Sequence, residues 1–367
     1  MITPTLEKKI RALKILLPAH ISAMIKPKPL WSHLWVTRRC NLTCDYCFVL
    51  DYEKEQLNTK EMKTVINKLF DLGNRFISFV GGEPTIRKDF LKLVNYACKK
   101  GMVTHFTTNG VMLDKDKTYI NKIGNSGIDI INLSIDSILE FNSTKKDYIR
   151  NKSVLDTLLK AREKFGFEVV TNLVLTSKNL DTVIPTVEKM NQLNVPMSIG
   201  LISKDFYTSE RKIKTPVKPD YSLFFDNNEK LQMLFPIVDE LIQLKRKGYG
   251  IINVEDYFKD IKRFLSGERV NWYCSGGEYY LSVDCDGKVG VCSLLSPEEI
   301  NIHSLKKNAL GNMHKIREQR LAECHSECLS LCFYQSSYYV KKPQYFIKQS
   351  IKSAFRNSMR SDFNIFN

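Results

Sequence analysis

Thr37-Arg-Arg-Cys40-Asn-Leu-Thr-Cys44-Asp-Tyr-Cys47-Phe48 follows a short apolar run, Leu34-Trp35-Val36. An apolar run ending in such a stretch reads as a strand passing into a loop. Three cysteines at intervals of four and three residues can turn their sulfurs onto one face of that loop. Three thiolates are one short of the four that close an ordinary [4Fe–4S] cluster. An iron without a protein ligand keeps an open position where a small molecule can bind and be activated, as in catalytic metal sites. A fourth cysteine from elsewhere would instead close the site as a structural zinc or iron–sulfur centre.

Outward from this stretch the chain repeats a strand–helix rhythm. The strand segments are 33–37, Phe76–Val80, Val103–Thr107, Ile128–Ile135, Val169–Leu175 and Met197–Ile202. Helical segments 59–72, 88–100, 114–124, 153–165 and 180–193 lie between them, with Gly73, Gly101, Gly127 and Gly166 at boundaries. Strands alternating with helices imply an α/β fold with a parallel sheet, and right-handed crossovers curl it. Parallel barrels keep their chemistry at the C-terminal strand ends. The Cys40 loop, the turn Gly81-Gly82-Glu83-Pro84, Asn109 and Asp136 all fall at such ends. Two glycines let backbone N–H groups approach a ligand closely. Glu83 can accept a charge-assisted bond from an ammonium group.

The Cys-x3-Cys-x2-Cys spacing, with the aromatic Tyr46 before its third cysteine, resembles the radical S-adenosylmethionine (SAM) superfamily. Gly81-Gly82-Glu83-Pro84 resembles that family's GGEP motif. The resemblance implies a partial (β/α)6 TIM-like barrel. It implies a [4Fe–4S] cluster on Cys40, Cys44 and Cys47 whose open iron takes the amino and carboxylate groups of SAM. Gly81, Gly82 and Glu83 would then meet the methionine amino group, and Ser134 and Asp136 the ribose or carboxylate. Asn109 after strand three and Asn172 in strand five match more loosely. Each of these polar residues reads equally well as a satisfied group lining the barrel.

A second set of cysteines follows. Asp284-Cys-Asp286-Gly287 lies between the alternating stretches Tyr279–Val283 and Lys288–Cys292, a hairpin signal that can bring Cys274 near Cys292. Cys324, Cys328 and Cys332 repeat every four residues, which at helical pitch sets their sulfurs along one face. The pattern resembles the opening of SPASM and twitch domains, which carry auxiliary clusters. Six cysteines, where a two-cluster domain uses seven, imply one auxiliary [4Fe–4S] cluster. Its ligands would be Cys274, Cys292 and two of Cys324, Cys328 and Cys332; a structural zinc knot is the other reading. Cys285 at the hairpin tip and Cys98 in a helix read as ordinary thiols.

The grouping of the ten cysteines argues against disulfides and for a reducing, cytoplasmic compartment. No apolar run reaches the ~18 residues of a spanning helix. The net charge of +15 sits at the ends. Residues 1–39 carry eight Lys/Arg against Glu7, and residues 341–367 carry six against Asp362. Taking that +7 and +5 from +15 leaves +3 for the middle. In residues 5–25, Leu6, Ile10, Leu13 and Leu17 form a helical stripe with Lys9 and Lys14 off it, interrupted by Pro18. Ile347, Ile351, Phe355 and Met359 recur with Lys348, Lys352, Arg356 and Arg360 beside them. Each end reads either as an interfacial helix on an anionic membrane, peripheral on its inner face, or as a helix packed on the body. Nucleic acid is disfavoured, because neither end interleaves aromatics with a polar binding face.

The expected organisation is a basic N-terminal segment (1–30), a barrel (31–225), a helical connector (226–270), a small cysteine-rich α+β auxiliary-cluster domain (271–340) and a basic tail (341–367). Lys204 to Asp220 reads as a linker or flap over the barrel mouth. The resemblance implies reductive cleavage of SAM to a 5′-deoxyadenosyl radical that abstracts hydrogen or adds to a double bond. The electron donor would be a flavodoxin or ferredoxin. The leading expectation is a lipid or lipid-linked substrate at a membrane. A peptide-modifying maturase is the alternative, against which a barrel starting near residue 31 leaves little room for a leader-binding domain. A twitch-type sugar or aminoglycoside dehydrogenase is a third. A non-catalytic Fe–S carrier or zinc RNA-binding protein would leave Glu83 and its turn without a purpose.

Overall fold

The computed structural model describes residues 3–202, 215–218, 220–291, 301–302, 317–318 and 328–348. Eight strands form one sheet in the order β6-β5-β4-β3-β2-β1-β7-β8. The first six are β1 (Trp31–Thr37), β2 (Phe76–Gly81), β3 (Val103–Thr108), β4 (Ile130–Ser134), β5 (Glu168–Leu175) and β6 (Met197–Leu201). All five of their pairings are parallel. The crossovers are carried by α2 (Thr59–Asp71), α3 (Phe90–Lys99), the short α4 (Val111–Lys115) with α5 (Thr118–Asn125), α6 (Tyr148–Phe165) and α7 (Leu180–Gln192). This is the parallel sheet that the rhythm implies and the open, partial barrel that the resemblance implies.

Alternation along each strand decides what faces where. Leu34, Val36, Ile77, Phe79, Phe106, Ile131 and Leu133 are fully buried in one continuous core with Met62, Ile66, Phe90, Leu93 and Val154 of the helices. The residues between them face the barrel's interior. One interior row runs His33, Ser78, His105 in register across β1, β2 and β3. Above it the strands deliver their C-terminal ends to a common rim. Local signals set the boundaries: Asn58 and Glu61 cap α2 reciprocally, and Gly166, at φ 76°, ends α6.

The N-terminal segment forms one helix, α1 (Pro4–Ile25), which runs through Pro18 rather than stopping there. Three of its four basic residues, Lys8, Lys9 and Arg11, point inward, and Lys14 is exposed. Lys8 Nζ donates to the carbonyls of Gly127 (3.0 Å) and Ile128. Arg11 donates to Asp129 Oδ1 at 2.7 Å and to the Met102 carbonyl at 3.0 Å, and Lys9 pairs with Glu168 at 2.8 Å. These partners sit at the N-terminal ends of β3, β4 and β5. The helix therefore packs on the body, across the bottom of the barrel rather than its open side. The periodic stretch 347–359 lies almost wholly outside the described residues.

After β6 come α8 (Asn228–Arg246) and α9 (Glu255–Leu265), the second of which no sequence signal announced. The hairpin β7 (Tyr280–Val283) and β8 (Val289–Gly290) forms where Asp284–Gly287 implied it. Its β7 strand also adds in parallel to β1, extending the barrel's sheet. A further helix, α10 (Leu331–Lys341), begins after Ser330. Cys332 thus lies in its first turn and Cys328 before it, so helical pitch does not align these two sulfurs. Most of the Lys204–Asp220 stretch, with Cys292 and Cys324, lies outside the described residues.

Candidate cofactor site

The cysteine loop leaves β1 and returns on itself, with the Asp51 N–H donating to the Arg38 carbonyl at 3.2 Å. Within it the Cys47 N–H donates to the Cys44 carbonyl at 2.9 Å, and the Leu42 N–H to Cys40 Sγ at 3.4 Å. The neighbouring strand end presses against it. The N–H of Gly82 donates to the Thr37 carbonyl and that of Glu83 to the Arg39 carbonyl, both at 2.9 Å. A Cβ on Gly82 would lie 2.1 Å from the Arg39 oxygen, and one on Gly81 2.4 Å from that of Thr37. The close approach that requires glycine here is to the cysteine loop. This corrects the expectation that those backbone N–H groups are kept for a ligand.

Glu83 is 1% exposed and binds four donors. Oε1 accepts from the Thr85 N–H (3.1 Å), the Thr85 hydroxyl (2.6 Å) and the Thr108 hydroxyl (2.8 Å). Oε2 accepts from the Asn109 N–H at 2.7 Å. Burial raises the Glu83 pKa, and these bonds pull the other way. Glu83 therefore clasps the ends of β2 and β3 together, and Oε2 retains one acceptor site. Asn109 carries the clasp onward: its Nδ2 donates to Asn41 Oδ1 at 2.8 Å and reaches Cys40 Sγ at 3.6 Å.

Asp136 sits on the other side of the loop, fully buried. Its Oδ1 accepts from the Val174 N–H at 3.0 Å. Its Oδ2 accepts from the Tyr46 hydroxyl at 2.9 Å and pairs with Lys146 Nζ at 3.2 Å. Lys146 also donates to the Tyr46 hydroxyl and lies over its ring, 4.8 Å from the centroid. Asp136 anchors Tyr46 and Lys146 beneath the loop, and its Oδ1, like Glu83 Oε2, keeps one acceptor site. Burial opposes the Lys146 charge, but Asp136 and Tyr46 outweigh it and hold the ammonium well above its ordinary pKa. Ser134 faces the interior, donating to Asn172 Oδ1 at 3.2 Å.

The thiols themselves are held protonated, chiefly by burial. Cys40 is pushed up to about 12 and Cys44 to about 11, and Cys47 is raised. Lys146 works against this at Cys44 and Cys47, and Arg38 at Cys47. Arg38 forks onto Asp284 of the β7–β8 hairpin, both bonds at 2.9 Å. Lys146 and Arg38 carry no motif and escaped the sequence reading. Among the described residues, no three His, Cys, Asp or Glu side chains are gathered closely enough to hold a metal ion. The donor chemistry nevertheless fits a cluster: three soft thiols on one loop, within electrostatic reach of one another, flanked by two buried cations.

The second cysteine set converges in part. The Trp272 indole N–H donates to the Cys328 carbonyl at 3.0 Å, and the Ser275 N–H to Ser337 Oγ of α10 at 2.8 Å. The Tyr280 side chain lies within electrostatic reach of Cys332. Segment 272–276, carrying Cys274, is thus bound to the start of α10, which carries Cys332, with Cys328 alongside. Cys285 is buried against the cysteine loop, its thiol donating to the Glu55 carbonyl at 3.4 Å.

Comparison with known proteins bears on this arrangement. Residues 35–190 match the profile of the Radical SAM superfamily. Fe-coproporphyrin III synthase of Methanosarcina barkeri is 30% identical over 190 residues, 49% of this chain and 45% of that protein. PqqA peptide cyclase of Bradyrhizobium diazoefficiens is 31% identical over 157 residues, 41% of this chain and 40% of that one. The chain spans under half the length of these relatives. Among solved structures, anSMEcpe with bound AdoMet superposes with a TM-score of 0.57 at 18% identity, covering 92% of this chain and 99% of that one. Streptococcus suis SuiB gives 0.58 at 16%, covering 79% and 68%. At these identities the two structures speak to the fold alone.

Proposed function

We propose that this chain, whose residues 35–190 are a radical SAM domain, is an enzyme that cleaves SAM reductively to functionalise a C–H or C=C carbon of its substrate. The observation that carries this is the three-thiol loop bound to the Gly81–Glu83 turn at the rim of a parallel barrel. Cys40, Cys44 and Cys47 would hold the cluster, which when bound supplies the electron that breaks the sulfonium C–S bond. The rest is done by the chain's own side chains. Glu83 and Asn109 fix the loop against β2 and β3. Oε2 of Glu83 keeps one acceptor site, and Ser134 and Asn172 present polar groups from the interior. Lys146 and Arg38 place positive charge beside the thiols.

An auxiliary cluster on Cys274, Cys292 and two of Cys324, Cys328 and Cys332 goes with this reading, as does the division into a barrel (31–225) and a cysteine-rich unit (271–340). A flavodoxin or ferredoxin would supply electrons. Anaerobic reconstitution tests the centre: about eight irons per chain, falling to about four when Cys40, Cys44 and Cys47 are replaced by Ala. The same variant should release no 5′-deoxyadenosine from SAM and reductant. Zinc in place of iron, or SAM left intact by the unaltered chain, would overturn the proposal.

A narrower reading concerns the substrate. Ile21, Met24 and Ile25 of α1 and Ile347 beyond α10 are exposed, Ile25 by 82%. His20 stacks on Phe346 with ring centroids 4.6 Å apart, which brings these two ends of the chain together. The exposed Lys14, Lys26, Lys341 and Lys348 accompany them. An apolar patch amid lysines suits an anionic bilayer surface and a lipid-linked substrate. Among the described residues no helix is long and apolar enough to cross a membrane. The names of PqqA peptide cyclase and of SuiB bound to its precursor peptide favour a peptide instead. Co-sedimentation with phosphatidylglycerol vesicles separates the two: pelleting that Ile21→Ser with Ile25→Ser abolishes supports lipid, and no pelleting removes it.

A further inference from the structure

Arg38 stands at the neck of the cysteine loop, its carbonyl closing the loop through Asp51. Its side chain is 7% exposed. Nε and Nη2 are committed to Asp284, whose side chain is 5% exposed, and the guanidinium stacks 4.3 Å from the Trp35 ring centroid. Nη1 is buried and has no hydrogen-bond partner among the described residues. A buried guanidinium N–H left without an acceptor is costly, and structures retain such groups where something else supplies the acceptor. Asp284 belongs to the β7–β8 hairpin, 246 residues along the chain. Lys54 also touches that hairpin, at 2.8 Å from Asp286 and 3.7 Å from Asp284.

We infer that Arg38 is a positioning residue that couples the C-terminal hairpin to the group held by Cys40, Cys44 and Cys47, offering Nη1 to that group while its fork onto Asp284 sets how much positive charge the group feels. This rests on the reading of those cysteines as cluster ligands. The physical reasoning is electrostatic. One-electron reduction adds a negative charge to the loop-bound group, and a nearby buried cation favours it. With Asp284 ionised, most of the Arg38 charge is balanced. Anything that displaces the hairpin, such as ligand or partner binding at the C-terminal unit, unbalances that pair and changes the ease of reduction at the barrel rim. Lys146, balanced by Asp136 within the barrel itself, has no such remote control.

The test is a redox titration of the reconstituted full chain, following the EPR signal that changes on adding SAM. Asp284→Asn leaves Arg38 unbalanced and shifts the reduced-to-oxidised ratio at a fixed potential upward. Arg38→Gln leaves Asp284 unbalanced and shifts it downward. Each shift is at least on the order of tenfold, which is what one unit charge gives from roughly 12 Å at an effective dielectric near 20. The double variant returns toward the unaltered chain. Asp284→Asn is nearly isosteric, and Lys54 and Asp286 still fasten the hairpin, so the upward shift is readable even if Arg38→Gln does not assemble. Full iron content with unmoved potentials in Asp284→Asn overturns the inference. An unaltered chain that takes up no cluster overturns the reading beneath it instead.

Discussion

The barrel buries ionisable groups in two places and treats them oppositely. At the rim, Lys146 and Arg38 are kept charged, each against one enclosed carboxylate, Asp136 and Asp284. In the interior row below, His33 and His105 are kept neutral. Ser78 hydrogen-bonds His105 Nδ1 at 2.7 Å, and His33 packs edge-on against Tyr280 at 4.9 Å between centroids. Among the described residues no carboxylate pairs with either ring. A buried group keeps its charge only where an opposite charge comes with it. The rim therefore holds fixed positive charge around the thiols, while the row beneath is polar but uncharged.

The largest effect should come from unbalancing a rim pair. Lys146→Met removes the ammonium and leaves the Asp136 carboxylate, 0% exposed, with hydrogen bonds but no counter-charge. Breaking a buried pair on one side costs about 3–5 kcal/mol. Urea unfolding should show that loss. Adding Asp136→Asn should recover much of it, because the uncompensated charge goes with the carboxylate. If Lys146→Met alone unfolds like the unaltered chain, the rim is not held by charge balance and its contrast with the interior fails.

These two regions were not equally legible in the sequence. The sheet was, because Leu34, Phe79, Phe106 and Leu133 alternate with interior residues and each strand ends near a glycine or polar turn. The rim was partly so: Cys40, Cys44, Cys47 and Glu83 are motif residues, and their place at strand ends follows from the rhythm alone. Their partners were not. Lys146 meets Tyr46 across 100 residues, and Arg38 meets Asp284 across 246, with no periodicity to connect them. The pairing of β7 with β1 hid for the same reason. In α1 the stripe of Leu6, Ile10, Leu13 and Leu17 suggested lysines facing outward. Long side chains can instead carry charge past an apolar flank, and Lys8, Lys9 and Arg11 do so to reach strand-end carbonyls and carboxylates. The regular spacing of Cys324, Cys328 and Cys332 misled because it did not reveal that the helix begins only at Leu331.

The interior row makes the smaller, pH-dependent prediction. Both histidines have an ordinary pKa of 6.5; burial lowers His33 to about 3, with His105 adding to the effect, and burial lowers His105 to about 4. Above pH 6.5 both rings are neutral folded and unfolded, and their contribution to stability is fully present. As pH falls below that value, the unfolded chain binds protons that the folded chain refuses. Stability therefore declines toward the folded pKa values, by at most about 1.4 kcal/mol per pH unit for each ring. His105→Gln removes one of the two, so between about pH 6.5 and 5 its stability should fall more shallowly than that of the unaltered chain. Carboxylates titrate alike in both proteins, and the difference between the two slopes isolates the ring. Parallel slopes would mean that His105 takes up its proton within the fold, and that the row beneath the rim is not the neutral layer its surroundings impose.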